Sequence, residues 1–146
     1  MRAALREAEA ALSEGEVPVG AVVVRDGRII GRGHNRVEGL NDPTAHAEIL
    51  AIGAACDYVG SWRLDGCTIY VTLEPCPMCA GALVLSRIDR LVFGAHDPKK
   101  GACGSLMDIV RDGRLNHTLS VSWGVLEGEC GSILSGFFEG LRSGEA

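Results

Sequence analysis

Aromatic residues are scarce in this chain, at 5% of 146 residues, so a broad platform of rings for stacking nucleobases is not an obvious theme. Positive charge is also in deficit. A formal net charge of −5 argues against a protein that grips a long stretch of nucleic acid by charge alone. No apolar run approaches the length of a membrane span, and the opening segment from Met1 to Glu16 is charged throughout, without the apolar stretch of an export signal. The expectation is a cytoplasmic protein. Its six cysteines then sit in a reducing compartment, as thiols or metal ligands and not as a disulfide framework. The sequon Asn116-His117-Thr118 never meets the glycosylation machinery there.

What is present fits one domain over residues 1–146. Hydrophobic residues make up 47% and charged residues 23%, ordinary values for a packed globular chain. The charge is unevenly spread. Between Arg87 and His117, the basic residues Arg87, Arg90, Lys99, Lys100, Arg111 and Arg114 face four acids, Asp89, Asp97, Asp108 and Asp112. That segment carries +2 and the remainder −7, which leaves room for a local basic face or for an ordinary solvated surface.

Residues 2–14 place Leu5, Ala8 and Leu12 on one helical face, and Gly15 follows as a stop. Val17–Val24 reads as a strand, Asp26-Gly27 as a tight turn, and Arg28–His34 as the returning strand. Thr44 is a candidate N-cap for a helix running to about Cys56 or Asp57. Further on come a strand over Cys67–Leu73, a helix over Pro77–Ser86, strands at Arg90–Gly94 and Leu119–Trp123, and a closing helix over Leu126–Arg142. Helices between the later strands imply parallel crossovers, and the first hairpin implies an antiparallel pair. The predicted class is α/β, a mixed sheet covered on both faces. Gly31-Arg32-Gly33 lacks the third glycine and following helix of a dinucleotide site. Trp62, Trp123, Phe137 and Phe138 are expected in core or interface packing, with Phe137 and Phe138 also able to border a groove.

The residues that carry chemistry lie in two short segments. Cys76-Pro77-Met78-Cys79 places a C-x-x-C where a strand meets a helix, so both sulfurs can face one ion and the helix N-terminus favours thiolates. Taken alone it is equally a redox motif or half of a zinc ribbon. Ala45-His46-Ala47-Glu48 opens the preceding helix. Together, His46, Cys76 and Cys79 make three ligands and leave a fourth tetrahedral position open, the pattern of a catalytic zinc. Glu48, two residues beyond His46, would diverge from it by about 200° on a regular helix. The two converge only if His46 sits in the first turn and leans back. A glutamate beside such a metal, outside its first ring of ligands, can move protons in a hydrolysis.

The pair His46-Ala47-Glu48 and Pro75-Cys76-Pro77-Met78-Cys79 is similar to the signature of the zinc deaminase superfamily. The stretches around Gly15–Val22, Asp42–Glu48, Tyr70–Ala82, Phe93–Ala95, Asp97–Ala102 and Gly104–Asp108 narrow the resemblance to the bacterial tRNA-specific adenosine deaminases, over about Leu5 to Leu141. This implies a three-layer α/β/α cytidine deaminase-like fold with a central mixed five-stranded sheet, and one Zn2+ per chain on His46, Cys76 and Cys79. It implies conversion of adenosine to inosine at the wobble position of a tRNA anticodon, with water activated at the metal attacking C6 and Glu48 shuttling protons. It also implies that Asn35 and Asp97 contact the substrate, that the anticodon stem-loop is the partner, and that two copies form a homodimer. Two departures stand out. Glu139–Glu145 is not the basic tail common in relatives, and His96 stands where an arginine often precedes the aspartate.

Other readings remain open at this point. A deaminase of free guanine, cytosine or cytidine would use the same metal chemistry, and editing of similar loops in other RNAs is a possible side activity. If Cys103 closed the tetrahedron, the zinc would be structural and the protein a binding module. Cys56, Cys67, Cys103 and Cys130 have no paired spacing and are expected to be small buried hydrophobes.

Overall fold

The computed structural model describes residues 1–144, so Glu145, the last residue of the non-basic closing segment, lies outside the described residues. The chain runs α1 (Arg2–Ser13), β1 (Gly20–Arg25), β2 (Arg28–His34), α2 (Val37–Leu40), α3 (Ala47–Val59), β3 (Thr68–Leu73), α4 (Pro77–Leu85), β4 (Arg90–Ala95), β5 (Ser120–Trp123) and α5 (Glu127–Ser143). One five-stranded sheet has the order β2-β1-β3-β4-β5. β1 is antiparallel to β2 and β3, while β3, β4 and β5 run parallel. The expected mixed five-stranded sheet and its antiparallel hairpin are both present. Asp26 and Gly27 turn that hairpin with φ of 50° and 74°, the left-handed pair that matches strand twist.

The buried apolar residues form two clusters. Ala21, Val23, Ile69, Val71, Leu91 and Phe93, at alternate strand positions, pack toward α3 and α4. At the ends of β3 and β4, Leu73 and Ala95 join Leu5 of α1 and Cys130 of α5 in the smaller cluster. Glycines bring helices close to the sheet. A Cβ on Gly20 would lie 2.4 Å from the Ala8 nitrogen of α1, and one on Gly33 would lie 2.4 Å from the Ala47 carbonyl of α3. The Gly31–Gly33 pair is therefore a seat for α3, which adds a packing reason to the strand reading.

Three local expectations are corrected. β1 begins at Gly20, three residues later than expected, because Pro18 lacks an N–H for a ladder and the Val19 N–H turns back to the Val17 carbonyl. On α1 the buried face is Ala4, Leu5, Ala8 and Ala11, whereas Leu12 is 41% exposed. Thr44 does not cap α3. Its hydroxyl and N–H both bond the Asp42 carboxylate, and His46 occupies the N-cap.

Candidate active site

His46 and Cys76 hold equivalent places on two helices. Each is an N-cap residue with extended backbone, at φ −78°, ψ 154° and φ −74°, ψ 174°. The parallel crossover from β3 into α4 delivers Cys76 to one end of the sheet, and Pro77 at the first helical position pre-sets the turn that follows. Cys79 then comes back to the same point one turn later. Because His46 precedes the helix and Glu48 is inside it, the divergence of a regular helix does not apply, and both residues reach the same cleft.

The His46 Nδ1 lies 3.6 Å from the Cys76 Sγ and 3.5 Å from the Cys79 Sγ. The three ligand atoms fall within 4.8 Å of one another. A tetrahedral ion with Zn–S of about 2.3 Å and Zn–N of about 2.0–2.1 Å needs an S···N edge of roughly 3.6 Å, so the donor set fits zinc in kind and in size. Among the described residues this is the group that can hold a metal, and Cys103 is not part of it. Cys103, on the loop between β4 and β5, has its N–H on Glu74 and its Sγ toward the Pro75 carbonyl and stands outside the ligand cluster, so it does not close the tetrahedron. Burial likewise pushes the thiols of Cys56 and Cys67 up, and that of Cys130 up to about 11. Cys67 and Cys130 are buried, and Cys56 is only partly so.

Two thiols and an imidazole packed this closely are coupled through their hydrogen bonds. A hydrogen bond from Cys79, reinforced by His46, holds the Cys76 thiol down to about 4 against the effect of its burial. Donating to Cys76, together with burial, pushes Cys79 up. The hydrogen bond to Cys76 raises His46. Glu48 is 4% exposed, and burial pushes its carboxyl up to about 7.

These groups open into a cleft of about 1230 Å³. Asn35 lines it, with its backbone N–H anchored on the Val19 carbonyl. Asp97 stands on the opposite wall with Lys99 and Lys100, and its Oδ1 accepts from both lysine N–H groups, which folds the rim. Phe137, Phe138 and Arg142 of α5 complete a further wall. Five of the six sequence-predicted site residues thus line one cleft, and the sixth, Cys79, is fully buried behind Cys76 and His46. Neither tryptophan is in the core, since Trp62 and Trp123 are 63% and 52% exposed.

Two carboxylates escaped the sequence reading. Glu74 is buried and accepts from the backbone N–H groups of Asp97, Cys103 and Ser105 and from the Ser105 hydroxyl. Burial pushes its carboxyl up, but these bonds outweigh burial and hold it below the usual range. Gly101 lies so near that a Cβ would meet the carboxylate at 2.3 Å. Glu16 is equally buried and accepts from the N–H groups of Glu38 and Gly39, capping α2 from a distance. Adjacency of Glu74 to the Pro75-Cys76 motif was the available signal for the first. Nothing local marks the second, whose partners lie 22 and 23 residues away.

A family model for MafB19-like deaminases matches residues 1–142. The tRNA-specific adenosine deaminase of Bacillus subtilis (strain 168) is 56% identical over 97% of this chain and 88% of its own length. That of Aquifex aeolicus (strain VF5) is 50% identical over 98% and 94%. A solved structure from studies of A-to-I editing by tRNA:A34 deaminases at the wobble position of transfer RNA superposes with a TM-score of 0.89 at 49% identity, over 92% of this chain and 97% of that one. A guanine deaminase from Nitrosomonas europaea shares the fold at a TM-score of 0.79 with 25% identity, over 92% and 80%. The chain belongs to the MafB19-like deaminase family, and within it to the tRNA-specific adenosine deaminases.

Proposed function

We propose that the chain hydrolytically deaminates adenosine to inosine at the wobble position of tRNA anticodons. The observation that carries this reading is the His46–Cys76–Cys79 triad with buried Glu48 beside it, at the foot of an open cleft rimmed by Lys99, Lys100 and Arg142. A cleft of this size admits more than one base, as an anticodon loop requires. The 49–56% identity to tRNA-acting relatives over 92–98% of the chain, against 25% to the Nitrosomonas europaea guanine deaminase and 43% over only 65% of the chain to a Bacillus subtilis one, favours RNA over a free base.

Bound to His46, Cys76 and Cys79, one zinc ion per chain supplies a Lewis acid that lowers the pKa of a water toward neutrality. Glu48 takes a proton from the attacking water and passes it to the purine ring nitrogen. It then carries a second proton to the amine, so that the C6–O bond replaces the C6–N bond and ammonia leaves. Its burial keeps that proton from bulk water. Asn35 hydrogen-bonds the flipped-out nucleotide, and Asp97 touches it from the rim. Two copies assemble as a homodimer whose partner subunit helps to shape the RNA site, and the enzyme works in the cytoplasm, where its substrate is.

The test offers the purified protein an anticodon stem-loop with adenosine at the wobble position, beside free adenosine, cytidine and guanine. Inosine in the hairpin alone is expected. Turnover of a free base with the hairpin untouched would overturn the reading. Sedimentation at micromolar concentration checks the dimer, and a monomer that turns over RNA would remove it.

A further inference from the structure

Trp123 ends β5 on the side of the sheet where β3 and β4 deliver Cys76 and Asp97. It is the register partner of Phe93, and the two rings stack at 6.4 Å between centroids, with 23° between planes. Phe93 is fully buried, whereas more than half of Trp123 remains exposed. The core thus holds one part of the indole in place and leaves the rest in water.

Cationic and planar groups collect around the ring. The Arg111 guanidinium lies over it at 5.8 Å from the centroid, oriented by the Asp108 carboxylate at 2.8 Å. The His96 ring stands edge-on at 6.0 Å from Trp123 and 5.2 Å from Phe93. His96 is itself exposed on the outer side, while its Nδ1 lies 3.4 Å from Glu74, the residue that holds the 97–105 rim. The next residue, Asp97, lines the cleft. The aromatic cluster lies outside the cleft lining and is joined to it through His96, one residue before Asp97 and in contact with Glu74.

We infer that Trp123, with His96 and Arg111 beside it, forms a stacking station for an unpaired base of the RNA loop next to the nucleotide in the cleft. The inference rests on the proposed RNA substrate and adds a positioning surface to that site. The exposed half of the indole offers π surface to any base, and the planar Arg111 guanidinium and His96 imidazole beside it extend that stacking surface. A protein partner would match this surface less well, because the exposed indole is flanked by polar groups, the Arg111–Asp108 ion pair and the exposed His96.

The experiment uses zinc-loaded full-length protein and the same anticodon stem-loop. Trp123→Ala is expected to raise KM by about 5- to 100-fold, the range of one lost base stack, with kcat and zinc content nearly unchanged. Trp123→Phe should recover most of the loss. Loss of both kcat and KM, without recovery in Trp123→Phe, would mark a structural residue and overturn the inference. In a Trp62→Phe background, Trp123 is the one remaining tryptophan, and its fluorescence should be quenched by the stem-loop. Replacing a single loop nucleotide by an abasic one should abolish that quench. Quenching that survives abasic substitution at every loop position overturns the station, as does a wild-type KM in Trp123→Ala. A change of oligomeric state in Trp123→Ala assigns the surface to protein contact instead. If the hairpin quenches Trp123 but is not deaminated, the proposed reaction fails and the surface stands. If it is deaminated and Trp123 is indifferent, only the surface fails.

Discussion

In the proposed reaction Glu48 moves protons while His46, Cys76 and Cys79 hold the zinc, and substitution separates these roles. Glu48→Gln keeps shape and removes the proton carrier, so turnover should fall by about 10²- to 10⁴-fold. Metal analysis of the same sample should still give one zinc per chain. Cys79→Ser should instead lose zinc and activity together, since a buried ligand of the ion has been exchanged for a poorer one. Glu74 acts at a distance from the reaction. Glu74→Ala strands the N–H groups of Asp97, Cys103 and Ser105, and each buried unpaired donor costs about 1–3 kcal/mol. Water entering the space relieves part of this, so a loss of about 3 kcal/mol is expected in urea unfolding, with a raised KM from a loosened rim.

At the scale of elements, helix placement depends on glycines of two kinds. Gly33 admits α3 to the sheet beside Ala47, between His46 and Glu48, the proposed ligand and proton carrier. Gly33→Ala must push the start of α3 outward. Overpacking of this kind costs about 1–3 kcal/mol, and zinc affinity should fall with stability because His46 moves too. In α5 the reverse holds. Gly131 and Gly136 lie within the helix, and a Cβ on either meets nothing within 4 Å. Gly131→Ala and Gly136→Ala should each stabilise the protein by about 0.4–1 kcal/mol, read as a rise in melting temperature. A loss of stability on either change would mean that α5 is held by contacts its glycines make possible.

Over the whole molecule, the basic excess of residues 87–117 does not form one face. Lys99 and Lys100 line the cleft, Arg87 and Arg114 border a separate depression, and Arg90 bonds Ser122 at the far end of its strand. Arg114 and Arg111 are also paired with Asp112 and Asp108. Phosphate contacts are therefore expected from Lys99, Lys100 and Arg142, the last of which the linear charge count left out. RNA affinity should fall with salt, and Lys99→Ala or Lys100→Ala should each reduce the slope of log K against log salt by about 0.7–0.9. An unchanged slope in both variants would move the RNA away from this rim. No helix among the described residues is long and apolar enough to cross a membrane.

The linear chain was sufficient for every strand and for the long helices, because their hydrophobic periods and turn residues are local signals. It also singled out His46, Cys76 and Cys79, whose donor atoms the fold brings within 4.8 Å of one another, and Glu48, which is buried beside them. Short α2 was not legible, since its cap is supplied by Glu16 from another part of the chain. Nor was the role of Glu74, which looks like one more acid until the 97–105 loop folds onto it. The edges of β1 and the true N-cap of α3 depended on where Pro18 and Asp42 direct their neighbours. Local patterning thus determined which elements form and which residues can bind a metal. Only the tertiary structure decided how far apart the ligands stand, which acids are buried, and which of the cations and aromatics face the cleft, because those outcomes depend on contacts between segments remote in sequence.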